Sequence, residues 1–323
     1  MRTTKTMKAA FYAQYGSPEV LQVKEVTKPE PKPNEVQVRI KAAAVNSGDV
    51  RMRKADPFAI RFIFGLTKPK IGVLGTVYSG EVESVGKDVK LFNVGDQVFG
   101  HTDMTFGAYA EYICVSEAST IAKKPVNITH SDAAAIPFGG VTALHFIKEA
   151  NIKPNQKVLV VGALGAVGNA AVQLAKAQGA VVTGVCSTSQ MELVKSIGAD
   201  NVIDYTKEDF TKNGEVYDVI YDSINAISVL GSLKSLSKNG IMILSSAGMR
   251  EMLLAPWISM TSSRKVFKGL IKHDAKAISV LKELIESGKY KALVDRTYPL
   301  SQISDAHGYF EKSGKKGSIT INI

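Results

Sequence analysis

The segment from Val158 to Ala180 reads VLVVGALGAVGNAAVQLAKAQGA and constrains this chain more than any other stretch. A continuous apolar strand, Lys157 to Val161, runs into Gly162, Gly165 and Gly168, and a helical pattern from Val167 to Gln178 follows at once. Continuous apolar strands belong to sheets buried on both faces. A glycine turn feeding a helix lets the backbone approach a phosphate closely. The helix N-terminus then offers the anion free N–H groups and a partial positive charge. The spacing is GxxGxxG, not GxGxxG, and by itself it would also suit a packing turn in another α/β protein. The strand–turn–helix context, with a second strand at Val181–Cys186, points to a nucleotide. Val158 to Ala175 is 18 residues without a charge, close to the shortest membrane span. Its glycines, Asn169 and Gln173 fit a buried strand, a turn and a helix better, so no membrane span is expected.

Strands and helices alternate on both sides of this segment. Beyond Asn127, Ser131 and Asp132 offer a helix cap and Thr142–Glu149 a helix. Gln190–Ile197 and Ile227–Leu236 read as further helices. Asn201–Tyr205, Tyr217–Asp222 and Gly240–Leu244 read as strands. Such alternation predicts a parallel sheet with helices on both faces. The first 125 or so residues read instead as short strands: Glu35–Lys41, Tyr78–Val85, a turn and strand over Asn93–Gly100, and Gly107–Val115. A proline-rich connection, Lys28–Asn34, precedes them, and few helical patterns interrupt them, so a small irregular barrel is expected. After residue 273 come a helix at Ala275–Glu286, strands at Val294–Tyr298 and Ser318–Ile323, and a short helix near Ala306.

Composition narrows the function classes. Of 323 residues, 45% are hydrophobic and 22% charged, which suits two globular domains and excludes disorder, collagen and coiled coil. The two cysteines, Cys114 and Cys186, cannot make a disulfide framework or a four-cysteine zinc lobe. They suit a reducing compartment. The N-terminal MRTTKTMKAAF has no apolar run behind its charges and is not a secretory signal, so a cytoplasmic protein is expected. A net charge of +10 favours anionic partners in general. There is no basic run with interleaved aromatics, only clusters such as Arg51, Arg53, Lys54 and Lys315, Lys316, so nucleic acid is not expected.

A site for NAD sets Asp or Glu about 20 residues beyond the glycine turn, at the end of the second strand. That position here reads Cys186, Ser187, Thr188, Ser189, and the first acid is Glu192. A carboxylate would repel a 2′-phosphate and hydroxyls would accept it, so NADPH is expected over NADH. The same hydroxyls can cap the next helix, alone or as well. No Lys or Arg adjoins them, the nearest being Lys176 and Lys195.

Taken together, the β-rich lobe, GALGAVG, VIDY and the C-terminal LKELIESGKYKALVDRTYPLSQISDAH resemble the medium-chain dehydrogenase/reductase superfamily. Within it the chain is most similar to the zinc-independent quinone oxidoreductases, the group of ζ-crystallin, from Met7 to Ile323. The resemblance implies an α/β fold: a GroES-like β-rich catalytic domain, 1–128 with 274–323, and a Rossmann-type doubly wound cofactor domain, 129–273. The zinc branch carries a Cys and a Gly-His-Glu motif where this chain reads Val45-Asn46-Ser47-Gly48-Asp49 and Leu74-Gly75-Thr76-Val77-Tyr78. No zinc is therefore expected, and His101, His130, His145, His273 and His307 read as surface or packing residues.

By position, the resemblance implies a catalytic set of Asn46, Asp49, Tyr78 and Thr142. Asn46 and Asp49 also suit a turn with a capping pair. It implies a cofactor set of Gly162, Leu164, Gly165, Ala166, Val167 and Gly168 in the loop. Further cofactor contacts are Ser187, Thr188 and Ser189, Tyr205 in VIDY, Ser223, and Ser245 with Ser246. Leu164 and Ala166 depart from the usual GASGGVG, Ser189 stands where relatives often carry Arg or Lys, and Asn225 replaces a glycine. The expected reaction is hydride transfer from NADPH to a quinone or an α,β-unsaturated carbonyl, with the Asn46 amide or Tyr78 steadying the carbonyl oxygen. The competing expectation is an NADPH-binding protein with an RNA-binding or assembly role. A homodimer is implied, with Arg264–Ile271 as a candidate edge strand. Met249–Ser263, which holds the single tryptophan Trp257, would line the pocket or a dimer contact.

Overall fold

The computed structural model describes residues 5–246, 248, 254, 256, 258, 260, 262–269, 271, 275–312 and 314–323. In chain order it runs β1 (Thr6–Phe11), β2 (Gln22–Thr27), β3 (Glu35–Val45), α1 (Ser47–Lys54), α2 (Ile60–Phe64), β4 (Val77–Val85), β5 (Gln97–His101), β6 (Tyr112–Ser116), β7 (Thr120–Lys123) and α3 (His130–Ala135). There follow α4 (Pro137–Ala150), β8 (Lys157–Val161), α5 (Ala166–Ala177), β9 (Val181–Cys186), α6 (Met191–Ser196), β10 (Asn201–Asp204), β11 (Tyr217–Asp222), α7 (Val229–Ser232), β12 (Leu236–Leu244) and β13 (Lys265–Lys268). The chain closes with α8 (Ala275–Glu286), β14 (Val294–Pro299), α9 (Ile303–Glu311) and β15 (Ser318–Asn322). It divides into two compact units, Met1–Phe138 with His273–Glu286 and Ala292–Ile323, and Gly139–Lys272 with Ser287–Lys291. Among the described residues, no helix is long and apolar enough to cross a membrane.

In the first unit β3 is the axis. Along one edge it pairs antiparallel with β4, and along the other with β6 through Glu35–Arg39 and then with β15 through Ala42–Val45. The path β14-β15-β3-β4-β5-β7 completes the sheet. Because β3 is flanked on both edges and covered on both faces, its apolar/polar alternation breaks down. Gln37 is buried, and its amide donates to the Pro29 carbonyl instead of to water. The core joins Val36, Val38, Ile40, Tyr78, Val82, Tyr109, Ile319 and Ile321. Helix α3 packs on β3, β4 and β15, so it belongs with this unit and the division falls at Phe138/Gly139, not at 128/129. Its cap is Thr129 and not Ser131 or Asp132. Thr129 Oγ1 accepts from the Asp132 amide at 3.1 Å, and the Asp132 carboxylate accepts from the Thr129 amide at 3.2 Å. The strand expected over Gly107–Val115 is shorter, because positive φ at Asp103, Phe106 and Gly107 turns the chain there into a loop.

The second unit is a six-stranded parallel sheet in the order β10-β9-β8-β11-β12-β13. Numbered from β8, this is the 3-2-1-4-5-6 arrangement of dinucleotide-binding folds. Such folds take ligands outside the strands' carboxyl ends, where the order reverses, here between β8 and β11. The helix expected over Ile227–Leu236 is only one turn, α7, followed by a 3-10 turn (Leu233–Ser235), so β12 begins at Leu236 and not at Gly240. Strand β13, within the expected Arg264–Ile271, is the outer edge of the sheet. Much of Met249–Ser263, Trp257 included, lies outside the described residues.

Candidate active site

In the second unit the glycine loop joins β8 to α5. Gly162 has φ +77°, and a Cβ there would press on Ile224 and the Ser223 hydroxyl at 2.8 Å. A Cβ on Gly168 would lie 2.0 Å from the Gly162 carbonyl oxygen, so the first turn of α5 sits on the loop only because the side chain is absent. Gly165 differs. Its φ of −63° and ψ of 161° suit any residue, and a Cβ would meet nothing closer than the Gly162 oxygen at 3.5 Å. Gly165 is also the N-cap of α5, and no side chain caps the helix. The leading N–H groups of a twelve-residue helix are therefore presented as an anion site would need them. Gly165, Ala166 and Val167 are partly exposed, whereas the Leu164 side chain is buried in the unit.

Serines tie the strand ends around this loop. Ser223 Oγ donates to the Val161 carbonyl at 2.8 Å, Ser245 Oγ to the Asp222 carbonyl at 3.2 Å, and Ser246 Oγ to the Ser223 carbonyl at 3.2 Å. Asp222, at the end of β11, accepts from the amides of Ile224, Ala226 and Ile227. Thr142 is buried on α4, three residues after Gly139. Sequence reasoning did not single out Gly139, where a Cβ would lie 2.0 Å from the Ala166 carbonyl oxygen. This close approach seats α4 against the start of α5, and the doubled glycine before Thr142 was its signal.

At the end of β9 the structure corrects one reading. Pairing sets Asp204 of β10 opposite Cys186, so a carboxylate does stand at this end of the sheet. It accepts from the Thr188 hydroxyl and, at 2.7 Å, from the Thr206 hydroxyl. Those hydrogen bonds hold it below the usual carboxylate range. Lys207 Nζ lies 3.8 Å from it and supplies a cation that the residues next to Ser189 lack. Ser187 shares a capping box with Gln190, Ser189 is exposed, and Tyr205 is 64% exposed beside Asp204.

In the first unit Asn46 caps α1, as the turn-and-cap alternative expected. Its Oδ1 accepts from the amides of Gly48 (2.8 Å) and Asp49 (3.2 Å), while Asp49 Oδ2 accepts from the Asn46 amide at 3.2 Å. With its oxygen engaged by the helix, the amide must turn Nδ2 the other way, where it donates to Thr76 Oγ1 at 2.7 Å. Asn46 is 2% exposed. Asp49 also accepts from Tyr109 Oη at 2.9 Å and the Gly75 amide at 3.2 Å, so it clamps α1 to the segment carrying Thr76. Burial pushes the Asp49 carboxyl up to about 7, against the lowering effect of the Tyr109, Asn46 and Gly75 hydrogen bonds.

The β4/β5 register pairs Val77 with His101, and the Thr102 amide donates to the Thr76 carbonyl at 2.7 Å. Continued by one residue, that register sets Thr102 opposite Thr76 on the same face. The Thr102 hydroxyl is buried and has no hydrogen-bond partner. Asn46, Thr76 and Thr102 thus form a row of polar groups whose last member is unsatisfied. Thr76 and Thr102 carry no motif, and only the strand pairing finds them. Tyr78 is wholly enclosed in the core of the unit, its ring packed against Gly100, and its hydroxyl, like that of Thr102, is buried without a hydrogen-bond partner.

The segments where the zinc branch keeps its cysteine and histidine hold Asn46 and Thr76, an amide and an alcohol bonded to each other. That pair is not a zinc ligand set. Among the described residues, no three His, Cys, Asp or Glu side chains are grouped to hold a metal.

Comparison with known proteins agrees with this architecture. Residues 32–126 match the alcohol dehydrogenase GroES-like domain, and residues 197–321 match the family described as zinc-binding dehydrogenase. The chain is 31% identical to 2-methylene-furan-3-one reductase of Solanum lycopersicum, over 98% of this chain and 79% of that one. It is 32% identical to a chloroplast envelope quinone oxidoreductase homolog of Arabidopsis thaliana, over 94% of each. The solved quinone oxidoreductase of Coxiella burnetii superposes with a TM-score of 0.90 at 28% identity, over 99% of this chain and 100% of that one. The chain belongs to the medium-chain dehydrogenase/reductase superfamily, among its quinone-oxidoreductase-like enzymes.

Proposed function

We propose that this enzyme reduces a quinone or an α,β-unsaturated carbonyl with NADPH and without zinc. The observation that carries the reading is Gly165: nothing inside the chain needs that glycine, so its missing side chain makes room for a ligand over the amides of α5. A dinucleotide pyrophosphate is the anion that such a loop fits. When bound, NADPH supplies the hydride. The chain's own residues bind and orient. Ala166 and Val167 give backbone N–H groups, the Gly165 amide being held by the Gly162 carbonyl at 3.0 Å, and Ser189, Tyr205 and Lys207 flank the adenosine side. Thr142, Ser223, Ser245 and Ser246 shape the nicotinamide side.

The acceptor's oxygen gathers negative charge as hydride arrives, and donors held in advance stabilise it most. Asn46 has one N–H committed to Thr76 and a second to give, and Thr76 and Thr102 each have a hydroxyl proton to give. Conjugation spreads the developing charge, so three hydrogen-bond donors can serve where a simple ketone would need a metal. Reductases named among the relatives support catalysis over the RNA-binding or assembly role. The free cysteines suit a cytoplasmic setting, and β13 is the edge through which we propose a homodimer.

The purified protein should oxidise NADPH with 9,10-phenanthrenequinone or a simple enone, at a rate that chelators leave unchanged. Silence across a broad quinone and enone panel would sink the proposal, and inhibition by chelators would restore a metal. Lys207→Ala should raise KM for NADPH roughly tenfold while leaving KM for NADH in place. Equal effects on both cofactors would remove the 2′-phosphate preference.

A further inference from the structure

Helix α2 is apolar on both sides. Ile60 and Phe64 turn inward onto the core of the first unit, and Phe64 meets Phe106 edge-on at 6.3 Å. Phe62 and Ile63 on the helix, with Phe58 in the turn before it and Leu66 in the bend after it, are 72%, 69%, 59% and 56% exposed. Phe58 and Phe62 stand four apart with their rings edge to face at 6.0 Å, Ile63 follows on α2, and Leu66 comes just past Gly65, whose φ of +124° ends the helix. Soluble proteins rarely leave so many large apolar side chains together in water.

Cations fringe these side chains. The Arg61 guanidinium lies over the Phe58 ring at 5.1 Å, and Lys70 Nζ donates to the Ile63 carbonyl at 3.5 Å. From 50 to 80 the chain carries Arg51, Arg53, Lys54, Arg61, Lys68 and Lys70 against Asp56 alone. Arg53 is buried and paired with Glu311, but Arg51, Lys68 and Lys70 are exposed.

We propose that this face docks on an anionic lipid bilayer, with Phe58, Phe62, Ile63 and Leu66 entering the headgroup boundary and the fringe of Arg and Lys meeting lipid phosphates. Large apolar side chains ringed by basic ones are the pattern of interfacial anchors. An aromatic side chain covers roughly 200 Å², so four partly exposed residues offer on the order of 400 Å². That is about half of what one partner of a stable protein dimer buries. The inference is independent of the substrate, because lipid binding is read without turnover.

The test is sedimentation of the full chain with sucrose-loaded vesicles of phosphatidylcholine, with and without phosphatidylglycerol. The expected result is binding to the anionic vesicles that weakens with salt. It should fall roughly tenfold or more in Phe62→Ser with Ile63→Ser, and about fivefold for each charge removed in Lys68→Gln and Lys70→Gln. Phe62→Trp should add a fluorescence component that shifts to the blue on those vesicles, read against the parent chain with its one tryptophan. These side chains are exposed, so unchanged circular dichroism should accompany every variant. The proposal is overturned if the parent ignores both vesicles or if the variants bind as the parent does. It is equally overturned if the serine pair instead dissociates a dimer, or only raises KM for a water-soluble quinone.

Discussion

At the end of β8 the chain offers a ligand its backbone, whereas around Asn46 it offers side chains. The loop works by subtraction: Gly168 lets α5 rest on the Gly162 carbonyl, and Gly165 leaves the amides of α5 uncovered. The Asn46 row works by commitment. Each polar group is turned by a bond to the one before it, from Asp49 and the α1 amides through Asn46 to Thr76, until the Thr102 hydroxyl is left over. A backbone site depends on what is missing and tolerates change at the side chains facing away. A side-chain site fails when any link is cut. The two should therefore break in different ways under substitution.

The largest effects belong to the loop. Gly168→Ala sets a methyl against a backbone oxygen that cannot move aside, and should cost about 3 kcal/mol of stability with loss of NADPH binding. Gly165→Ala should leave the melting temperature within the effect of about 0.5 kcal/mol, yet weaken NADPH at least roughly tenfold in a fluorescence titration. If Gly165→Ala bound NADPH as the parent does, the glycine would serve no ligand and the contrast would collapse.

Asn46 comes next, because two substitutions separate its two jobs. Asn46→Ala removes cap and donor, and should lower kcat about 10²–10³-fold with about 1 kcal/mol of stability. Asn46→Asp keeps an oxygen for the α1 amides but has no N–H to give, so kcat should fall as far, with stability kept at low pH and lost as a second buried carboxyl ionises beside Asp49. Stopped-flow rates beside urea titrations would show it, and an active Asn46→Asp would reduce the residue to its cap.

Thr102 sharpens the comparison further. Thr102→Val deletes a buried hydroxyl that bonds to nothing, so the fold should gain up to about 1 kcal/mol. If that hydroxyl waits for the acceptor's oxygen, kcat should fall roughly tenfold at the same time, and Thr102→Ser should restore it. A variant that gained stability at full activity would leave the hydroxyl unassigned.

How each region could be read from the sequence follows the same division. The parallel sheet was legible because buried strands are continuous apolar runs, and the loop because its three glycines fall between a strand and a helix. Asn46 and Asp49 were legible through the family resemblance and, as residues, only as a turn and capping pair, and the helix they cap is α1. Thr76 and Thr102 were not legible, since their meeting depends on the β4/β5 register across the whole of the turn and strand that separate them. Asp204 was visible in VIDY, but its place beside Thr188 comes from the pairing of β10 with β9. Tyr78 shows its hydroxyl in the sequence, and only packing shows that the core encloses it.

The smallest expected effect probes how the side-chain site is supported. Tyr109 donates to Asp49 at 2.9 Å and meets the His307 ring edge-on at 5.6 Å, so two buried titratable groups share a neighbour. Burial raises the Asp49 carboxyl from 3.8 to about 7. Between those values the unfolded chain loses a proton that the folded chain keeps, so this group lowers stability as pH rises. The limit is about 1.4 kcal/mol per pH unit. Burial, and then the Arg53 charge, lowers His307 from 6.5 to about 3. Between those values the unfolded chain holds a proton that the folded chain has released, so this group raises stability as pH rises. From about pH 4 to about pH 6.5 the two slopes oppose each other. Against the parent, the slope of urea midpoint with pH across that span should turn upward in Asp49→Asn, which keeps the His307 contribution, and downward in His307→Gln, which keeps the Asp49 contribution. Curves parallel to the parent in both variants would mean that neither group titrates out of step with the unfolded chain. The Asp49 clamp would then hold Asn46 and Thr76 through geometry alone.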